Sequence, residues 1–234
     1  MKSSFKPVLA AGLAMLLTMA PSFTAPAAAQ VSGNIATVDI ALAVAGADAR
    51  AAAYQQISST YQQQLTLIQQ RQQQRQELIQ TFDTNGNGEL DEAEAPATQD
   101  PNNATVQQIN AIDNEVAQLQ GPIQRARVYA ISQIGNQFSP ALQQVVSERK
   151  IQFVISPEAM IYEPEGANVT QLVIAAINAR IPTVTAFPPE GWQPSEAAVN
   201  LFQQVQQILV MAAMQQQQQA AQQGAAQTGE VPSR

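Results

Sequence analysis

The sequence predicts a mainly α protein with a small β base (α+β), in which a long antiparallel helical hairpin projects from a short-stranded oligomerisation base. Three observations point there. Two stretches, 47–82 and 103–150, carry apolar residues at spacings of three and four, the seam of paired helices. Clusters of alternating β-branched residues occur at the two outer ends of that hairpin, near 35–40 and 151–162. Aromatic residues make up 5% of the chain, which suits extended helices that bury little per residue better than one large globular core.

Residues 1–29 read as a signal peptide. Lys2 and Lys6 form a positive start, "VLAAGLAMLLTMA" is apolar but short for a membrane span, and "APAAAQ" offers a cleavage site after Ala29. No later stretch is long and apolar enough to cross a bilayer, so the expectation is an exported, periplasmic chain with no integral span. Losing Lys2 and Lys6 with the signal takes the net charge from −7 to −9. Such an acidic chain argues against nucleic acid, whose phosphates demand basic clusters. Cysteine and histidine are both absent. That excludes disulfides, Ser-His-Asp and Cys-His nucleophiles and ordinary zinc sites, and no catalytic residues are expected. Any metal bound here is hard and held by oxygen.

The domain following the signal spans 30–181. Its base comprises 34–46 and 150–181, and its helical arm comprises 47–149. "NIATVDIALAV" begins as a strand through Ile35, Thr37 and Val38 and runs into helix. Ala47 to Phe82 holds no Pro or Gly, and its seam runs Tyr54, Ile57, Tyr61, Leu65, Ile68 before fading across a polar gap at 69–77. The second helix, from about Asn103 to Lys150, has its seam at Val106, Ile109, Ile112, Val116, Leu119, Ile123 and onward to Val145. Pro122 and Pro140 are expected to kink or restart it. Across the hairpin, Arg71 and Arg75 are expected to face Asp113 and Glu115.

Beyond the arm, Ile151, Phe153 and Ile155 alternate as a strand, and "AMIY" after the "SPE" turn reads as a second. Asn168 or Thr170 is the expected cap of a helix reaching Ala179. Residues 182–214 form a Pro-rich strap, with Trp192 as packing anchor, and a helix capped by Ser195. The glutamine-rich tail 215–234 is expected to be disordered.

Between the two arm helices lies "DTNGNGELDEAE", residues 83–94. It has the spacing of an EF-hand calcium loop: Asp83 at position 1, Asn85 at 3, Asn87 at 5, Gly88 at the sharp turn, Glu89 offering its carbonyl at 7, Asp91 at 9 and Glu94 as the bidentate ligand at 12. Alternating oxygen ligands ending in a glutamate at fixed distance are what a calcium shell needs and what a plain Asn-Gly turn does not. Pro96 cuts the exiting helix short, no second loop pairs with this one, and the ligand side chains carry three negatives. The expected affinity is therefore weak, on the order of 10⁻⁴–10⁻³ M, and the role that of a clip at the arm tip.

The order of strand "IATVDI", helical hairpin and closing "ERKIQFVISPEAMIYEPEGANVTQLVIAAIN" is similar to the Skp/OmpH family of periplasmic chaperones, over roughly 34–180. That resemblance implies a homotrimer joined through its β-rich base, with helical arms around a cavity for unfolded outer-membrane proteins, and no enzymatic chemistry. One departure is electrostatic. Family arms with basic tips attract acidic clients, whereas Gln76 to Gln124 here holds nine acids and no base. The alternative reading is a calcium-binding acidic coiled-coil structural protein of the envelope without chaperone activity.

Overall fold

The computed structural model describes residues 34–228, so the expected signal peptide and the last residues of the tail lie outside the described part. In chain order the elements are β1 (Asn34–Thr37), α1 (Ile40–Ala45), α2 (Asp48–Thr60), α3 (Gln62–Gln80), α4 (Ala95–Gln99), α5 (Ala104–Arg149), β2 (Ile151–Ile155), a 3₁₀ turn (Pro157–Ala159), α6 (Thr170–Arg180) and α7 (Glu196–Thr228).

The base forms where the chain's two ends of the arm meet. β1 and β2 pair in parallel, with Ile35 opposite Phe153 and Thr37 opposite Ile155. Thr37 is fully buried and extends the pairing past β1: its N–H donates to the Ala167 carbonyl and its carbonyl accepts from the Val169 N–H, both at 2.9 Å. Asp39 caps α1, accepting from the Leu42 N–H at 2.9 Å, which satisfies one of the donors a helix start leaves open. Beneath the strands, Val44, Ile131, Ile134, Val145, Val173, Ile177 and Val205 make one core from α1, α5, α6 and α7.

The arm leaves this base at Asp48. Its N–H donates to Asn178 Oδ1 of α6 at 3.0 Å, and Asn178 Nδ2 returns a bond to Asp48 Oδ2 at 2.8 Å. The expected single outgoing helix is interrupted once, at Tyr61, whose backbone (φ −97°, ψ 20°) separates α2 from α3 while the flanking hydrogen bonds from Tyr61 to Ile57 and from Leu65 to Tyr61 persist. The return helix α5 is continuous for 46 residues and contains both Pro122 and Pro140. The expected restarts do not occur. Buried Ile123, Ala126, Ala141 and Val145 flank the prolines, and their packing outweighs the lost backbone bonds. Lys150 ends α5 in the left-handed region at φ 54° and turns the chain into β2.

Three further expectations are corrected. "AMIY" forms no strand: Pro157 opens a 3₁₀ turn, and the segment after it reaches the sheet at a single bridge, Asn168 to Thr37. The helix at 170 begins from Val169 without a side-chain cap at that position, although Asn168 Oδ1 still accepts the Thr170 N–H at 3.0 Å. The glutamine run, expected to be disordered, continues α7 as helix to Thr228. Gln and Ala are good helix formers, and α7 is already nucleated by the packed turns around Val205. The cap at Ser195 is present, accepting from the Ala198 N–H at 3.2 Å.

Candidate functional site: an open base and an acidic arm tip

Two regions carry features that a self-contained domain does not need. The first is the base. On the two-stranded sheet the registered partners Ile35 and Phe153 are 47% and 49% exposed. Next to β2 the residues expected to form a second strand, Ile161 and Tyr162, stand 106% and 79% exposed. Exposed apolar side chains of this kind are candidates for an interaction surface.

The second region is the arm. The α3–α5 pairing has the expected register: Arg71 Nε lies 2.7 Å from Glu115 Oε2, and Arg75 Nε lies 2.7 Å from Asp113 Oδ1. At the far end Phe82 is buried, and Ile79, Leu90, Val106 and Ile109 line one small cavity with it. The chain then enters the loop 83–94.

Here the sequence-predicted residues are organised by hydrogen bonds. Asp83 Oδ1 accepts from Gly86 and Asn87 N–H groups, and its Oδ2 from Gly88 N–H at 2.7 Å. Gly86 and Gly88 hold φ of 72° and 83°, where a side chain is strained. Asn85 Oδ1 accepts from Asn87 N–H, and Asn87 Oδ1 from Glu89 N–H. Asn85 Nδ2 donates to Asp91 Oδ2 at 2.8 Å. Glu94 is buried at 5% exposure and reaches back across the loop, where its Oε1 accepts from Thr84 N–H at 2.6 Å, Thr84 Oγ1 at 2.9 Å and Asn85 N–H at 3.2 Å. Burial opposes ionisation of Glu94, but the bonds from the Thr84 hydroxyl and from the Thr84, Asp91 and Asn85 amides outweigh it, and its carboxyl sits below the usual range.

Asn85, Asp91 and Glu94 are thus brought together, with Asp83 folded around the glycine turn; the Glu89 side chain points to solvent without a partner among the described residues. Among the described residues no three His, Cys, Asp or Glu side chains gather as a metal-holding group. The loop's oxygens face N–H donors, which an incoming cation would have to displace. As a donor set, carboxylates and amide oxygens on an Asp-to-Glu frame of twelve residues are the hard ligands calcium takes.

Sequence reasoning missed a third feature. The strap 182–194 runs along α5: Val184 packs on the base core, and Ala186 is buried in the cleft between α2 and α5 among Ile57, Ile123 and Ala126. Phe187 meets Tyr61 at 6.0 Å between ring centroids, and Trp192 meets Tyr129 edge-on at 4.9 Å. Of this only the anchoring role of Trp192 was readable beforehand.

A two-helix arm is rooted on a two-stranded parallel base that is apolar where it is open, and its tip is acidic. The family follows from comparison: the chain belongs to the outer membrane protein (OmpH-like) family, whose model matches residues 34–177. Among solved structures, the chain is similar to a protein from Caulobacter crescentus CB15 proposed to be an OmpH-like outer membrane chaperone. The two are 17% identical with a TM-score of 0.41, over 68% of this chain and 94% of that one. No curated protein matches the chain. Among the described residues no helix is long and apolar enough to cross a membrane.

Proposed function

We propose that this chain is a periplasmic holdase: a non-catalytic chaperone, exported through a cleaved signal peptide, that binds unfolded outer-membrane and envelope proteins. The observation that carries the reading is the uncovered apolar base, Ile35 with Phe153 and the neighbouring Ile161 and Tyr162, at the root of a long arm in an OmpH-like domain. Copies joining through these bases, as a homotrimer, bury that surface and set their arms around a common space. A client with exposed apolar segments is then shielded from others of its kind without any change to its covalent bonds. Suppression of aggregation of an unfolded β-barrel protein tests this, and its absence at a molar excess of the chain contradicts it.

In the same reading calcium binds weakly at Asp83, Asn85, Asn87, Glu89, Asp91 and Glu94 and stiffens the arm tip. The support is the spacing of the ligands and the back-reach of Glu94 across the loop. A cation there also offsets an acidic tip with no base from Gln76 to Gln124. Hydrogen exchange over 76–100 should slow in millimolar calcium relative to chelator, and Glu94→Gln should abolish the difference. Equal exchange in the wild-type chain makes the loop a turn only.

A further inference from the structure

We propose that the cleft between α2 and α5 is a binding groove for extended, uncharged apolar polypeptide, and that the strap 182–194 is its resident occupant, displaced when a client segment enters. The idea rests on the holdase reading for the identity of the partner, while the groove itself stands on geometry. The strap has no regular secondary structure, and its middle, Thr185 to Phe187, is held by α5 and the end of α2. The cleft holds it in the way a sequence-tolerant site holds a peptide, by its backbone. The Gln133 amide grips Thr185 from both sides, its Nε2 donating to the Thr185 carbonyl at 2.8 Å and its Oε1 accepting the Thr185 N–H at 3.2 Å. Arg125 donates to the Trp192 carbonyl. Neither contact depends on which side chain the strap carries.

Between those clamps the side chains enter apolar hollows: Ala186 against Ile57, Ile123 and Ala126, and Phe187 against Tyr61. From Ile181 to Pro189 the strap is free of charge, which matches the wall it lies on. α2 and α5 lie within the family-matched segment 34–177, and the strap follows it. The groove walls thus belong to the matched domain, while the strap lies beyond it. An occupant tethered in the same chain lowers the apparent affinity for any competitor by the fraction of time the groove stands empty. It thereby keeps an apolar arm covered until a client competes.

The test uses the full mature chain and a fluorescently labelled synthetic peptide with the strap's own sequence, residues 181–194, read by anisotropy. A Phe187→Ser, Trp192→Ala double variant loosens the resident strap and should bind the peptide about tenfold or more tightly than wild type. Adding Gln133→Leu, which removes the backbone clamp from the groove, should return binding to the wild-type level. Equal binding by wild type and the double variant overturns the proposal, as does tight binding that survives Gln133→Leu. Loss of exchange protection over 48–80 in the double variant also overturns it, because the strap is then a permanent brace. Aggregation of a β-barrel client, followed in parallel, separates the two claims. Peptide binding without suppression sinks the holdase reading and keeps the groove; suppression without peptide binding sinks the groove alone.

Discussion

At the scale of single residues, three positions along the chain decide local geometry. Glu94 closes the tip loop, and its folded pKa lies below its unfolded one. The sign follows directly: the stabilisation is complete above the unfolded pKa and is lost as pH falls through the folded value. Exchange protection of the Thr84 and Asn85 amides should hold at neutral pH and vanish on acidification through the carboxylate range. Protection that survives in Glu94→Ala at neutral pH would contradict this. At the arm's root the reciprocal pair of Asp48 and Asn178 is partly exposed, so Asn178→Ala should cost about 1 kcal/mol by chemical denaturation. A neutral result would mean that water replaces both bonds. Lys150 occupies a left-handed position that glycine adopts without penalty. Lys150→Gly should raise stability by roughly 0.5–1 kcal/mol, the relief of strain exceeding the added freedom of the unfolded chain.

At the scale of elements, the arm shows what a sequence reveals and what it withholds. The α3–α5 register was legible from a turn centred near residues 93–94, which sets Arg71 and Arg75, the only bases where the apolar seam fades, opposite Glu115 and Asp113. These pairs are about two-fifths exposed, so a double-mutant cycle on Arg75 and Asp113 should give only ~0.2–1 kcal/mol. Their use is alignment: a cysteine pair at 72 and 115 should cross-link faster than one at 72 and 105. The β1 and β2 strands were readable from alternation, as was the short exit helix α4 from Pro96. Less visible were features set by tertiary contact. Local rules gave Pro122 and Pro140 a disruptive role that packing around Ile123 and Ala141 overrides. "AMIY" has strand composition but no free sheet edge to join within one chain, since Thr37 is taken by Ala167 and Val169. The strap's seat depends on contacts such as Gln133 to Thr185, 52 residues apart, which no local pattern encodes.

At the scale of the whole molecule, the proposed division of labour is between a base that would join copies and an arm that would reach around a client. Deleting 70–118 and rejoining α3 to α5 by a short turn removes the acidic tip and leaves Ile35, Phe153, Ile161 and Tyr162 in place. By light scattering the truncated chain should keep the full chain's number of copies per assembly, and a monomer would move assembly to the arm. The holdase proposal assigns both regions to holding a client, which makes aggregation suppression the most direct measurement. An unfolded β-barrel outer-membrane protein is diluted from denaturant into the mature chain, into the arm-truncated chain, or into buffer, and turbidity is followed. The account predicts suppression by the full chain near one assembly per client and its loss on truncation. Client aggregation at the buffer rate in a molar excess of full-length chain would contradict it.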